Sequence, residues 1–487
     1  MNAWWSAVIA LGMAGAAAAD DDPALPKTLS DGERRMRQLE ERVNALEARR
    51  QETDESPRLR EQAEPDKKAG AGQTWDAGKM LSFSTPDGTF TAKIGGRVYA
   101  NFRHIVDRED STLPAVAATG QSARSGGAAD TFWIDSARFQ LEGSFYRDFI
   151  YRVEGEGKSG DTAGSFRLKD VFVGWVLNDR LAIRAGQMKV PFSQEETTSG
   201  HWVDFAERSI MNRWIPAHDA GVLLSGSFAD KVFEWALGGM NMQVNRDQNR
   251  GAVDVQDEKM LAARLFVSPF RTQTGALKTL RLGVDALHGQ VDHQAQGDIS
   301  TGDLGGVVMT DFLAPAILDG DRTGLLANFQ WAYGPIGFRA EYGTITQELA
   351  DGLAEDEYEV TMWQAQATWL VTGEEKVLEN RITPADNFKP LEGGWGAVEL
   401  AVRVSAYEVG DEVQDVGLAA AAATATDNAN LEAREITLGL NWWWSPNVVW
   451  RFNYARLSFD EDLPNLRSGN EADDAQDVFI VRWQVDF

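Results

Sequence analysis

Apolar and polar residues alternate with a two-residue period along most of the chain, from about residue 89 to the C-terminus. In "TFTAKIGGRVYANF", Phe90 and Ile94 share one face of an extended strand, whereas Lys93 and Arg97 lie on the other, because successive strand side chains point in opposite directions. The sequence therefore predicts an all-β chain. About sixteen segments follow this pattern: 89–102, 138–145, 149–156, 166–177, 181–186, 220–228, 233–239, 260–267, 280–287, 325–333, 336–342, 361–371, 398–405, 436–442, 448–455 and 477–487.

The connections between these segments alternate between short and long. The short ones are 146–148, 178–180, 229–231, 333–337 and 444–447. The long ones are 103–131, 188–218, 241–258, 288–322, 406–433 and 458–476. A barrel fixed in a bilayer has short turns on one rim and long loops on the other, so we predict a 16-stranded antiparallel transmembrane β-barrel. One long connection, 372–396, falls where a short turn is expected.

The last segment, "DVFIVRWQVDF", alternates to its final phenylalanine. Because the hydrocarbon core holds no water for backbone N–H and C=O groups, a spanning sheet must close and its last strand must pair with its first. The segment resembles the C-terminal signature by which bacterial outer-membrane proteins are delivered to the barrel-assembly machinery. Past the N-terminal region no run of about 18 apolar residues occurs, which excludes a helical membrane protein.

The N-terminal region differs in character from the predicted barrel, 75–487. Residues 1–19 end in three alanines, as before a signal-peptidase site, although the segment lacks Lys and Arg; a buried helix is the alternative. Residues 20–52 place Met36, Leu39, Val43 and Leu46 at coiled-coil spacing, which predicts a short periplasmic coiled coil, with a solvated helix as the alternative. Residues 53–74 are charged and aperiodic, as in a linker.

Composition narrows the possible functions. The net charge of -27 argues against a nucleic-acid partner, which would require clustered basic residues. The absence of cysteine excludes disulfides and thiolate metal sites, and the five histidines show no convincing ligand spacing, so no metal or cofactor is expected. "GEGKSG" matches a dinucleotide fingerprint only formally, because no helix follows it. We therefore expect no catalytic residues and no enzyme activity.

Basic residues recur on the polar face of the predicted strands. An arginine facing lipid at the bilayer midplane costs about 2–4 kcal/mol, so these residues must face the lumen. There they would form a row of positive charge that lowers the barrier for anions. The alternative is that they pair with inward acids such as Glu142 and Glu154 and stiffen the wall. The pore-lining candidates are Lys93, Arg97, Arg138, Arg152, Arg184, Arg264, Arg281, Arg339, Arg403 and Arg451.

Several motifs, in order, resemble the phosphate-selective porin O and P family. They are "FTAKIGGRVYANF", "VFVGWVLNDRLAIRAGQMKVPFSQEE", "FAERSIMNRWIPAHDAGV", "WLVTGEE" and "NFKPLEGGWGAVELAVRVS". The resemblance covers about residues 89–487. It implies a homotrimer of sixteen-stranded barrels, in which the third external loop, between the fifth and sixth strands, folds inward and basic residues guide anions.

The resemblance also implies a constriction within residues 187–221. The candidates are Lys189, Glu207, Arg208, Arg213, His218 and Asp219. The first three lie in matching motifs, and the fourth lies in the same loop. The sequence departs from the family where an arginine commonly precedes Asp-x-Gly, because His218 stands there; together with the acidic outer loops, this leaves the preferred anion open.

The sequence thus predicts a porin of the bacterial outer membrane, exported through the periplasm, that forms a water-filled, anion-favouring diffusion channel. Its expected partners are small anions such as phosphate, outer-membrane lipid, lipopolysaccharide and two further copies of the chain. One alternative is a barrel that tethers the outer membrane to the cell wall without phosphate selectivity. A second is a secreted, soluble β-rich protein that binds sugars through some of its 17 tryptophans.

Overall fold

The computed structural model describes residues 72–74, 81–106, 130–159, 166–242, 257–295, 299–304, 308–310, 317–350, 355–410, 431–463 and 473–487. The predicted signal peptide (1–19), the coiled coil (20–52) and all but the last three residues of the linker (53–74) lie outside the described residues.

The described residues form twenty β-strands. Their bounds are β1 Gly72–Thr74, β2 Leu81–Ser84, β3 Phe90–Ile105, β4 Thr131–Phe145, β5 Phe149–Gly157, β6 Phe166–Asn178, β7 Leu181–Lys189, β8 His218–Phe228, β9 Phe233–Met240, β10 Met260–Val267, β11 Arg281–Ala295, β12 Ile299–Ser300, β13 Val308–Thr310, β14 Ile317–Tyr333, β15 Ile336–Ala350, β16 Glu355–Leu370, β17 Ala397–Val409, β18 Glu432–Ser445, β19 Val448–Leu463 and β20 Asp473–Asp486.

Sixteen of these strands, β3–β11 and β14–β20, close into one antiparallel barrel. Each pairs with the next along the chain, and β20 pairs with β3. The terminal Phe487 takes part in this closure, because its backbone exchanges two hydrogen bonds with Gly96, of 2.9 and 3.0 Å. A Cβ atom on Gly96 would lie 2.8 Å from the Phe487 ring, so only glycine admits this approach. The structure confirms the predicted 16-stranded barrel; in the described part of the chain, no helix is long and apolar enough to cross a membrane.

The two rims of the barrel differ as predicted. Tight turns join β4 to β5, β6 to β7, β8 to β9, β14 to β15 and β18 to β19, and we call this end the short-turn rim. Tyr146 and Arg147, in the first of these turns, both have positive φ (49° and 67°), as in turns that follow the twist of a two-stranded ribbon. The opposite end is the long-loop rim. In barrels of this class, the short turns face the periplasm.

The outer face of the barrel is apolar and exposed. On β18, Leu438 is 52% exposed, whereas its neighbour Thr437 is 1% exposed and faces inward. Aromatic side chains gather on the outer face near the short-turn rim, where Trp450 stacks on Trp483 with a centroid distance of 5.3 Å. Such a band matches the position of tryptophan at a membrane–water interface. The outer face is therefore lipid-facing.

The inner face has two zones. Toward the short-turn rim most inward residues are polar or charged, as expected, apart from a small buried apolar cluster at the ends of β16–β19 (Leu370, Ala397, Trp443 and Val449, with Ile382). Near the long-loop rim of β14–β20 they are apolar and buried, so the prediction of an aqueous inner face is wrong there. The reason is that these residues pack against a loop inside the barrel. Examples are Leu318, Ile345, Val360, Met362, Tyr407, Val409, Ala433, Leu457, Val478 and Ile480.

We expect Leu438→Arg to lower the free energy of unfolding by about 2–4 kcal/mol, because it places a guanidinium in lipid near the middle of β18. Tyr333→Arg, at the short-turn end of β14, is the matched control and should cost only about 0–1 kcal/mol. Reversible unfolding in phospholipid vesicles measures both. Equal costs at the two positions would contradict the assignment of the outer face.

Candidate functional site: the lumen and its constriction loop

A 28-residue segment, 190–217, connects β7 to β8 and lies inside the barrel; we call it the constriction loop. It contains one turn of α-helix, Gln194–Thr197, and a 3-10 helix, Ile210–Trp214. Ser193 caps the α-helical turn in a left-handed conformation (φ 62°), and its hydroxyl accepts a hydrogen bond from the Glu196 amide. The loop narrows the lumen, as the family resemblance implied.

The start of the constriction loop is fixed to the barrel wall by Glu341 on β15. The Glu341 carboxylate accepts hydrogen bonds from the Ser193 hydroxyl (3.0 Å) and from the amides of Gln194 and Glu195 (3.1 Å for the latter). The first amides of a helical turn have no partner within the helix, so an inward acid of the wall satisfies them. This contact sets the position at which the loop enters the lumen.

The middle of the loop is held by buried arginines of β17 and β20. Arg403 pairs with Glu195 (3.3 Å) and with Glu435 of β18 (2.6 Å). Arg482 pairs with Glu207 (2.7 Å) and with Asp135 of β4 (2.6 Å). Each guanidinium therefore links the constriction loop to an acid of the wall.

The long connection 371–396, which the sequence left unexplained, enters the lumen from the short-turn rim. Lys376 is buried and pairs with Asp204 of the constriction loop (2.6 Å) and with Glu399 of β17 (2.5 Å). Glu379 accepts a hydrogen bond from the Gln194 side chain and lies 3.4 Å from Arg281. The connection is long because it reaches into the lumen from the short-turn rim and contacts the constriction loop there.

Ion pairing determines the charge states of Asp204 and Lys376. Burial alone would raise the pKa of Asp204, but the Lys376 ammonium outweighs it and holds that pKa below its usual value. Burial alone would lower the pKa of Lys376, but Asp204 and Glu399 outweigh it and raise that pKa. Both groups are therefore charged at neutral pH.

The lumen is filled unevenly. On β17–β20 the inward charged side chains are almost fully buried, as for Arg403 at 1% and Arg451 at 0% exposure. On β4–β7 some of them keep access to solvent, as for the side chains of Arg152 at 33% and Glu142 at 23%, whereas Glu154 and Glu156 are buried. We call the inward face of β4–β7, together with the half-buried Lys93 at the short-turn end of β3, the open wall. A solute crossing the lumen would pass between this wall and the constriction loop.

All ten pore-lining candidates occupy inward positions of their strands, but they fall into two groups. Five are ion-paired: Arg138 with Glu154 and Glu156, Arg152 with Glu142 and Asp170, Arg264 with Asp285, Arg281 with Glu234 and Glu379, and Arg403 with Glu195 and Glu435. For the other five, no carboxylate of the described residues lies within 4.0 Å; they are Lys93, Arg97, Arg184, Arg339 and Arg451.

The unpaired five have different surroundings. Arg97 donates to Ser199 of the constriction loop (3.3 Å), and Arg451 donates to the His201 carbonyl (3.1 Å). Arg184 lies over the Phe172 ring of the open wall, 5.6 Å from its centroid. Arg339 borders a small cavity, partly open to solvent, between the constriction loop and β14–β16. Its Nε and Nη2 atoms have no hydrogen-bond partner in the described part of the chain.

Three of the six constriction candidates lie in or beside the constriction loop and bind it to itself or to the wall. Lys189 donates to the Thr198 carbonyl (3.2 Å), and Arg208 donates to the same oxygen (2.8 Å). Glu207 pairs with Arg482. These contacts shape the loop, and the Lys189 and Arg208 side chains remain partly exposed beside the open wall.

Of the other three candidates, Arg213 also lies in the constriction loop, within its 3-10 helix. Arg213 donates to the Thr301 carbonyl (2.9 Å) near the short β12–β13 pairing. His218 and Asp219 belong to strand β8, because they pair with Lys189 and Met188 of β7. They are therefore the first two residues of the barrel wall after the constriction loop. His218 approaches Asp170 on the open wall, at 3.4 Å.

Sequence reasoning missed the residues that fix the loop. Asp204, His201 and Lys376 showed no signal, because their partners lie far away in the chain. Glu195 and Glu196, adjacent acids of the constriction loop, are likewise buried partners of Arg403, Lys189 and Arg208. Among the described residues, no group of three or more His, Asp or Glu side chains is placed to hold a metal ion.

A closed sixteen-stranded barrel with an apolar, aromatic-banded exterior and a polar lumen crossed by a loop defines an outer-membrane channel. The sequence model of one family, "phosphate-selective porin O and P", matches residues 120–487. The chain therefore belongs to this family and is a porin of the bacterial outer membrane. No curated protein matches the chain by sequence.

Solved outer-membrane porins are similar to the chain at low sequence identity. An anion-selective porin from Comamonas acidovorans is 13% identical, with a TM-score of 0.48, over 82% of this chain and 100% of that one. The outer-membrane channel DcaP of Acinetobacter baumannii is 12% identical, with a TM-score of 0.48, over 83% and 99%. A trimer form of OmpT, an outer-membrane protein of Vibrio cholerae, is 8% identical, with a TM-score of 0.48, over 82% and 100%.

Replacing Lys376 with methionine should strongly destabilise the protein, because it leaves the buried carboxylates of Asp204 and Glu399 without a counter-charge. We expect a loss of about 3–5 kcal/mol in the free energy of unfolding. Lys389→Met is the matched control: Lys389 is exposed and lies 3.9 Å from each of its two acids, so we expect about 0–1 kcal/mol. Similar losses in both variants, measured by reversible unfolding in vesicles, would contradict the role of Lys376.

His201 should make stability depend on pH. Burial and the nearby Arg97 guanidinium lower its pKa from 6.5 to about 4, against the opposing effect of Asp486. Between these values the unfolded chain binds a proton that the folded chain does not, so stability falls as pH decreases from about 6.5 to 4, by up to about 1.4 kcal/mol per pH unit.

His201→Gln should reduce this slope in unfolding measurements across that range. His288→Gln, at an exposed position on β11, should leave it unchanged. An unaltered slope in His201→Gln would show that other groups cause the pH dependence.

Proposed function

We propose that this porin is a water-filled diffusion channel that favours small anions, with phosphate one candidate solute, and that it works as a homotrimer. The trimer is an expectation from the family. The anion preference rests on the open wall, where solvent and inward basic side chains meet.

One observation carries the proposal: Lys93 and Arg184 of the open wall, and the buried Arg97 next to it on β3, have no carboxylate within 4.0 Å among the described residues. A fixed positive charge that is not neutralised locally attracts anions, and it does so more strongly in a narrow channel with low-dielectric walls. Arginine also presents paired donors that match phosphate and carboxylate geometry. Arg184 lies over the Phe172 ring, 5.6 Å from its centroid, on the inward face of β7.

The ion pairs of the same wall are not expected to set the sign of the selectivity. Arg138 and Arg152 each lie between two acids, so their charge is balanced within a few ångströms. They hold the wall rigid and line it with alternating charge. The unpaired cations then decide which ions enter.

A structural tether is the second candidate, and the degree of filling of the lumen favours it. The constriction loop and the 371–396 connection together close most of the β14–β20 side. In that case the predicted coiled coil (20–52), which lies outside the described residues, would contact the cell wall. Absence of any open-channel current from purified protein in planar bilayers would favour the tether over the channel.

Reversal potentials in a KCl gradient should show anion selectivity for the native channel, and Arg184→Gln should shift them toward cations because it removes an unpaired charge from the open wall. Arg434→Gln is the control, since Arg434 is 71% exposed in side chain and lies on the outer face. If phosphate passes through the same lumen as chloride, adding phosphate should reduce the chloride current. A cation-selective native channel would contradict the proposal.

A further inference from the structure

The 371–396 connection has a second limb that lies outside the barrel. Residues 388–396 form a short hairpin, closed by a 2.9 Å hydrogen bond from the Lys389 amide to the Gly394 carbonyl; we call it the rim hairpin. The Phe388 amide donates to the Trp444 carbonyl at the end of β18 (2.8 Å). The connection therefore passes from the lumen, at Lys376, around the short-turn rim to the exterior.

The rim hairpin packs on the outer aromatic band. The Phe388 ring contacts Trp442 edge-on (4.9 Å between centroids) and stacks on Trp444 (4.7 Å). Trp442 shares the outward parity of Leu438 and pairs across the sheet with Trp450. The hairpin thus extends the lipid-facing surface of the barrel at its periplasmic end.

The hairpin presents two large apolar side chains away from the protein. Leu391 is 97% exposed and Trp395 is 76% exposed. Trp395 is fixed in place, because its carbonyl accepts a 2.8 Å hydrogen bond from the Trp442 indole. Single exposed apolar residues are common on protein surfaces, but these two lie on one hairpin that continues a lipid-facing band.

The polar residues of the rim hairpin also suit a position at the surface of a bilayer. Lys389 and Glu392 are exposed beside the two apolar side chains. Tryptophan and leucine next to charged residues, at the level of an aromatic band, are typical of segments that lie in the headgroup region of a bilayer.

We propose that the rim hairpin is a membrane anchor that inserts Leu391 and Trp395 among the phospholipids of the periplasmic leaflet. The anchor holds the outer limb of the connection, and its inner limb carries Lys376 beneath the constriction loop. The proposal rests on the outer-membrane location and does not depend on the ions that the channel conducts. A second copy of this chain is the other occupant that could cover the hairpin.

The chain has no native cysteine, so single-cysteine variants can carry a fluorescent label. The test uses the full-length protein in phospholipid vesicles, with Leu391→Cys and Trp395→Cys labelled in separate samples. Lipids with a nitroxide near the headgroup quench from the bilayer, and iodide quenches from water. Leu438→Cys is the lipid-facing reference, and Thr383→Cys, exposed on the same connection, is the aqueous reference.

Labels at both hairpin positions should be quenched by lipid nitroxide several-fold more strongly than the label at position 383, and to an extent similar to the label at position 438. Quenching by iodide as strong as at position 383 would overturn the proposal. Protection from both quenchers would also overturn it and would identify a second copy of the chain as the occupant. Heat-modifiable gel migration verifies that each variant retains its barrel.

Discussion

Closure of the backbone hydrogen-bond network is the constraint on which the rest of the structure depends. In the hydrocarbon core no water can satisfy a free strand edge, so β20 must pair with β3 there, as Val478–Asp486 do with Arg97–Ile105. Closure fixes the parity of every strand, and parity decides which side chains meet lipid and which meet the lumen. The exposure of Leu438 and the burial of Thr437 beside it are direct results.

A closed barrel of sixteen strands encloses more space than its own side chains can fill, and this chain fills one side of it with its own segments. The constriction loop brings both acids and apolar side chains into that space. Arginines of the wall pair with the acids of the loop. Leucine, valine and methionine side chains of the wall pack against the apolar residues of the loop at the level of the 3-10 helix. The ion pairs fix the path of the loop through the lumen, and the apolar contacts exclude water from around it. What remains open lies along β4–β7.

The strands could be predicted from sequence because alternation is a local property, and all sixteen predicted segments lie on the sixteen barrel strands. The apolar zone of the inner face could not be predicted from this alternation. In "VTMWQAQATWL", Val360 and Met362 face inward while Trp363 faces outward, so both faces look apolar and the pattern cannot show which is dry. The Lys376–Asp204 contact joins residues 172 positions apart, and the sequence around each of them does not indicate which residue it contacts. The arginine positions were predictable, whereas their division into paired and unpaired groups depends on distances that only the fold sets.

The constriction loop also contacts both strands that close the barrel. Ser199 accepts a hydrogen bond from Arg97 of β3, and the carbonyls of His201 and Ala206 accept hydrogen bonds from Gln484 and Arg482 of β20. These are the first and the last barrel strands to be synthesised, and they meet only once the rest of the sheet has formed. A segment from the middle of the chain thus holds the junction of the two ends from within, so the closing strand pair is stabilised from inside the lumen as well as by its own backbone hydrogen bonds.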